Sequence, residues 1–258
     1  MSRLRELEER RSFECRLTPD RALGSLEEAG EFLRDRGLVT RTPDSSLPSL
    51  FEAAHEEPYA PGTGGFGEWP RTKWWWPGAL EDRDDVVTAK IHRGKTLLMT
   101  TEAARLADPI CRAEIDRMAA ADPDWARLLD FLEQTGPSEL ETIREALGLK
   151  PKELRDLRYP LERCGAIVAR QVVLEGAGGG HAHTSKLARW DQVVTEPSSV
   201  GGIDDLIVAG VRAAVLAPER ELGRWFSWPW RLGEGLVDRL VAEGRLERPE
   251  PGWVAVSE

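Results

Sequence analysis

No run of this chain approaches the roughly 20 apolar residues that a bilayer-spanning helix needs, so nothing in it reads as a membrane segment. Cysteine is scarce as well: Cys15, Cys111 and Cys164 are odd in number and widely spaced. That excludes a disulfide framework and reads as reduced thiols in a cytoplasm. The histidines are few and scattered. His181 and His183 share a strand face but lack further ligands, so a solvent-facing pair is the simpler reading than zinc. Also missing are a glycine-rich loop that cradles a nucleotide, paired metal carboxylates and a nucleophile elbow. No metal or cofactor is expected. The N-terminus, with Arg3, Glu6, Glu8, Glu9, Arg10 and Arg11, is a charged helix and not a signal peptide.

Positive charge is in deficit, with 35 Lys/Arg against 45 Asp/Glu and a net charge of -10. Duplex binding is driven largely by cations that displace counterions, so this total argues against a strong non-specific DNA binder. One stretch departs from it. Lys150 to Arg170 carries Lys150, Lys152, Arg155, Arg158, Arg163 and Arg170 against Glu153, Asp156 and Glu162. Charge gathered on one face can serve where the total does not.

What the chain does have is a pattern written three times: helical periods, a glycine-hydrophobic helix end, then two short strands around a turn. The clearest copy runs from Trp125 to Trp190. Trp125, Leu128, Leu129 and Leu132 share one face of a first helix, which Gly136-Pro137-Ser138 breaks. Leu140, Ile143 and Leu147 make a second helix, and Leu154, Leu157 and Leu161 a third. Ala166 to Leu174 and Ala182 to Arg189 read as strands around a wing tip at Gly176 to Gly180. Pro151 is well placed at a helix start, while Pro160 is expected to kink or end that helix. A second copy closes the chain, with helices at Leu206–Leu216, Glu219–Phe226 and Leu232–Ala242, Gly244 at a helix end, and a hairpin from Arg245 to Val256.

The first half is less regular. Leu23, Leu26, Ala29, Phe32 and Leu33 suit a helix stopped by Gly37, and Leu47 to His55 another. Val86 to Ile91 and Lys95 to Met99 flank His92-Arg93-Gly94 as a hairpin. Separate helices are expected at Thr101–Ala107 and Ile110–Ala120. Trp69, Trp74, Trp75 and Trp76 crowd together. They read first as packing anchors, although Arg71 and Lys73 beside them keep a base-stacking surface open. The fold class is thus α+β, mainly α: tandem winged-helix domains, each a three-helix core with a β-hairpin wing. The expected divisions are 1–120, 121–195 and 196–258. A helical bundle with stray strands is the alternative.

These features resemble the AlkZ/YcaQ group of bacterial DNA glycosylases, which are tandem winged helices acting on alkylated bases and interstrand crosslinks. The resemblance rests on the repeats, on Trp69, Lys73 and Trp74-Trp75-Trp76 followed by the Val87 to Met99 hairpin, and on Leu222-Gly223-Arg224-Trp225-Phe226 leading to Leu236 through Leu246. It implies a DNA-binding surface that includes Lys73, Arg93, Lys95, Lys150, Lys152, Arg155, Arg158, Arg163 and Arg170. It also implies a catalytic motif just after a helix end, matching Gly37-Leu38-Val39-Thr40-Arg41-Thr42-Pro43. Thr40, Arg41 and Thr42 occupy that position here. Base excision needs a carboxylate or amide to orient water and stabilise the developing positive charge. A threonine hydroxyl does neither well, unless Asp35, Asp44 or Glu52 sits nearby. The expectation is a double-stranded-DNA-binding protein of the cytoplasm without glycosylase activity. An active enzyme with a rearranged site, and a module that binds protein partners, are the alternatives.

Overall fold

The computed structural model describes residues 2–175 and 181–257, with side chains described outside 172–184. The wing tip expected at Gly176 to Gly180 and the side chains of His181 and His183 lie outside the described residues. The chain is an α+β protein with three small antiparallel sheets. After an N-terminal helix α1 (Arg3–Glu14), the first unit comprises α2 (Leu26–Arg36), β1 (Leu38–Thr40), α3 (Leu50–Ala53), α4 (Trp76–Glu81), β2 (Val86–His92) and β3 (Lys95–Thr100). A long helix, α5 (Thr101–Ala121), follows. The second unit is α6 (Pro123–Thr135), β4 (Ser138–Glu139), α7 (Leu140–Leu147), α8 (Pro151–Arg163), β5 (Ile167–Glu175) and β6 (His181–Arg189). One turn, α9 (Trp190–Val193), leads to the third unit: α10 (Ile203–Ala214), β7 (Ala217–Pro218), α11 (Glu219–Trp225), α12 (Leu236–Ala242), β8 (Leu246–Glu247) and β9 (Trp253–Val256).

Each unit therefore repeats helix, strand, helix, helix, hairpin. The sheets repeat too, in the orders β1-β3-β2, β4-β6-β5 and β7-β9-β8, so the last strand is always central. Local chemistry explains where the helices stop and start. The Ser25 hydroxyl caps α2 by accepting from Glu28 N at 3.2 Å, while Glu28 Oε2 accepts from Gly24 N at 2.7 Å. Gly37 (φ +74°) ends α2, Gly148 (φ +65°) ends α7, and Gly244 (φ +70°) follows α12. The β2–β3 turn has positive φ at both Arg93 (53°) and Gly94 (76°), as a two-residue hairpin of matching twist requires.

Two differences from the sequence reading have tertiary causes. Thr101 to Ala121 is one helix and not two, with Pro109 inside it. The lost backbone donor is tolerated because α5 packs against β3, α6, α9 and α10, in the middle of the molecule. The 201–202 glycine pair packs against the same turn of the helix: Gly202 N donates to Leu106 O at 2.9 Å. A Cβ at Gly201 (φ +111°) would lie 2.7 Å from the Leu106 backbone, so only glycine fits that approach. Likewise α8 continues past Pro160 to Arg163, its last turn anchored by buried Leu161, Glu162 and Cys164. The helix expected over Leu47 to His55 shortens to α3.

One apolar cluster runs through all three units, from Leu38, Leu97 and Met99 by way of Ile110, Leu132, Leu161 and Trp190 to Leu206, Trp225 and Val254. The helix α1 clasps its ends. Leu7 packs on Val215, Leu216 and Ala255, and Arg11 Nη1 donates to Ser46 O (2.7 Å) and Ala214 O (2.7 Å). The three cysteines are buried and free. Among the described residues, no helix is long and apolar enough to cross a membrane.

Candidate nucleic-acid interface

The third helix of the middle unit, α8, is amphipathic. Leu154 and Leu161 are buried, while Lys152, Arg155, Tyr159 and Arg163, spaced by three, four and four residues, lie on its exposed side. Eleven residues of rise place this stripe along about 16 Å of helix. Lys152 has no carboxylate within 4 Å among the described residues. Arg155 meets Asp156 at 3.2 Å and Lys150 meets Glu153 at 3.9 Å, in pairs that are all solvent-exposed; such pairs yield readily to a competing anion. Arg158 points the other way. Its Nε lies 3.3 Å from Glu162, whose side chain is 2% exposed and also bonds Lys90.

The remaining cations expected at the interface divide. Lys73 Nζ donates to Leu23 O (2.8 Å) and Ala54 O (3.1 Å), beside the Trp76 ring, and so holds the first unit together. Lys95 pairs with Asp44, and Arg170 donates to Glu81 O. Arg93 donates to the carbonyls of Asp44 (2.7 Å) and Arg224 (3.0 Å), which leaves its charge without a carboxylate partner among the described residues.

Arg93 and Arg163 meet at a cleft the sequence reading missed. The β2–β3 turn rests on the end of α8: a Cβ at Gly94 would lie 3.4 Å from Tyr159 Oη and 3.6 Å from Arg163 Cδ. The segment after α11 docks beside it. Buried Trp228 donates from its indole to Cys164 O at 3.0 Å, and Ser227 N donates to Ile91 O at 2.9 Å. Between these elements and the end of α5 opens a cleft of about 620 Å³. Its lining includes Arg93, Arg117, Arg163 and Arg224, with Trp125 and Trp230, and no carboxylate among the described residues. Behind it, fully buried Glu114 binds both Arg117 (2.5 Å) and Arg231 (2.6 Å). Arg117 also stacks on Trp230, 5.2 Å from the ring centroid.

The tryptophans divide by burial. Trp76, Trp190, Trp225 and Trp228 are core, whereas Trp74, Trp75 and Trp230 are exposed.

At the position read as matching the AlkZ/YcaQ motif, Thr40 is buried and Arg41 and Thr42 are half-buried. Thr40 is 1% exposed and its Oγ1 donates to Pro48 O at 3.1 Å; Thr42 donates to Asp44. The Arg41 guanidinium lies over the Trp69 ring at 4.4 Å. Asp35 and Glu52 are exposed. Arg41 does line a second cavity, of about 210 Å³, together with Glu81 and Glu162. Glu81 accepts from Thr88 Oγ1 at 2.5 Å, and burial raises its pKa. Both carboxylates thus already have protein donors. Among the described residues no cluster could hold a metal ion.

His92, at the end of β2, is fully buried with Ser45 Oγ 3.4 Å from its Nε2. Burial, and then the charge of Arg93, push its pKa from 6.5 down to about 4. The unfolded chain therefore takes up a proton that the folded chain refuses. This stability is intact above pH 6.5 and is lost as pH falls toward 4, at up to about 1.4 kcal/mol per pH unit. Urea unfolding of the wild-type chain and His92→Gln between pH 7 and 4.5 is expected to show a smaller acid-side loss in the variant. Parallel curves would remove His92 as the cause.

Comparison with protein-family models, with curated proteins and with solved structures gives no match.

Proposed function

We propose that the three units are tandem winged helices, and that the chain binds double-stranded DNA through α8 without excising bases. The observation that carries this reading is the position of α8. It is the third helix of a helix-strand-helix-helix-hairpin unit with sheet order β4-β6-β5, and it presents Lys152, Arg155, Tyr159 and Arg163 to solvent. A third helix with outward cations is the element that winged-helix and helix-turn-helix proteins lay in the major groove. The acidic total is compatible with it, because the excess negative charge lies elsewhere and the stripe and cleft are locally positive. The likeness to the AlkZ/YcaQ group belongs to the same reading, as does a reducing cytoplasm, which suits three buried free thiols. Loss of glycosylase activity follows from Thr40 and Thr42, whose hydroxyls are spent on Pro48 O and Asp44.

Fluorescence anisotropy with a mixed-sequence duplex tests the reading. The expected result is binding that weakens steeply between about 50 and 200 mM salt, while the same protein releases no abasic product from alkylated or crosslinked duplex. Absence of a salt-sensitive shift would favour a protein-binding module, and abasic product would point to Glu81 and Glu162, the carboxylates of the second cavity, as candidate catalytic groups.

A further inference from the structure

We propose that the cleft between the β2–β3 turn, the end of α8 and the segment after α11 is a nucleotide site, taking an aromatic base against Trp230 and Trp125 and its phosphate on Arg163 and Arg224. This deepens the duplex-binding reading, on which it rests for the case where the nucleotide belongs to a strand. Three observations converge. The first is charge: in a chain with ten more acids than cations (45 less 35), Arg93, Arg163 and Arg224 line one cleft with no carboxylate among its described lining residues, while Arg117 beside them is already paired with Glu114. Arg163 and Arg224 are exposed and have no ion-pair partner among the described residues. Like charges brought together at that density repel unless an anion joins them, and guanidinium forks match phosphate oxygens in pairs.

The second observation is the aromatic lining. Trp230 is 57% exposed, and Arg117 covers one part of its ring. Trp125 at the start of α6 is half-buried in the same lining. An exposed indole next to cations is the arrangement that stacks an unpaired base while its backbone is neutralised. The third is size: about 620 Å³ falls within the range of roughly 300–1,000 Å³ typical of small-molecule sites. Arg163 belongs both to this lining and to the exposed stripe of α8, so a duplex lying along Lys152 and Arg155 brings its own strand to the cleft mouth. The ligand chemistry is the same for an unpaired nucleotide in that strand and for a free nucleotide.

2-Aminopurine fluorescence separates the two sources. The full chain is titrated with a fully paired duplex, with the same duplex carrying one bulged 2-aminopurine, and with free 2-aminopurine deoxynucleotide and deoxynucleoside. The expected result is about 10-fold tighter binding of the bulged duplex than of the paired one, with the 2-aminopurine emission changed on binding. Arg163→Gln with Arg224→Gln is expected to erase that preference. Trp230→Ala is expected to erase it too, and Trp230→Phe to restore part of it. Because these side chains are exposed, unchanged circular dichroism is expected for each variant. Equal affinity for both duplexes and no binding of the free nucleotide would overturn the cleft site while leaving duplex binding in place. Binding of the free nucleotide, but not the nucleoside, with neither duplex bound would uphold the cleft and overturn the duplex reading. Absence of binding to every probe would overturn both.

Discussion

Asp108→Ala is expected to lower stability by about 3–5 kcal/mol. Asp108 is fully buried in the middle of α5. Its two oxygens accept from Arg112 Nε at 2.9 and 3.0 Å, from the indole N–H of buried Trp190 at 2.8 Å, and from Ser198 N at 2.8 Å. Those donors sit on three separate stretches: α5 itself, α9, and the link that leads to α10. The carboxylate is thus the polar joint between the central helix and the passage from the second unit to the third. Removing it leaves a buried indole donor and a backbone N–H unsatisfied, each costing about 1–3 kcal/mol, while Arg112 can turn outward and limits the charge penalty. Asp108→Asn keeps one acceptor and is expected to cost less, about 1–2 kcal/mol. Asp84→Ala, at an exposed carboxylate, is expected to change stability by no more than about 0.5 kcal/mol. Urea midpoints decide the matter; an Asp108→Ala midpoint equal to that of Asp84→Ala would mean that the network carries no net stability.

Much of this architecture was legible in the sequence because it is governed by local rules. Gly37, Gly136 and Gly244 marked helix ends since each has positive φ, which side chains resist. The hairpins at Val86–Thr100, Ile167–Arg189 and Leu246–Val256 were visible as β-rich runs around turns. What escaped was set by partners far along the chain. Pro109 reads as a break by its chemistry, yet packing on both sides of α5 holds one helix through it. Lys73 and Arg158 look like surface cations; the first is drawn inward by two carbonyls and the second by Glu162. The cleft was the least legible feature. Arg93, Arg117, Trp125, Arg163, Arg224 and Trp230 come from six separate elements or turns, and no periodicity links them. The only local hint was the tryptophan-rich run from Trp225 to Trp230, and its docking depends on Trp228 reaching Cys164, 64 residues away.

Reversing the charge of Lys152 and Arg155 together is expected to weaken duplex binding roughly 100-fold at about 50 mM salt, and to flatten the dependence of log affinity on log salt by about two units. Both side chains are exposed, and among the described residues their only ion pair is the solvent-facing one between Arg155 and Asp156. The substitution therefore leaves the core intact, and the unfolding midpoint is expected to shift by less than about 1 kcal/mol in stability. Net charge alone also moves affinity, so the control is Arg5→Glu with Arg34→Glu, which changes the total by the same amount on α1 and α2. If both double variants lose affinity equally, the effect is the field of the whole chain and α8 is not the contact. If only Lys152→Glu with Arg155→Glu loses it, and loses slope as well, those two cations sit on phosphates. The loss should then be uniform across duplex sequences, because phosphate contacts position a protein without reading bases. A sequence-dependent loss would instead mean that the Lys152 to Tyr159 face reads base edges in the major groove. Either result fixes α8 as a duplex-contacting helix, only the second places it in the groove, and an unchanged slope in both variants removes it.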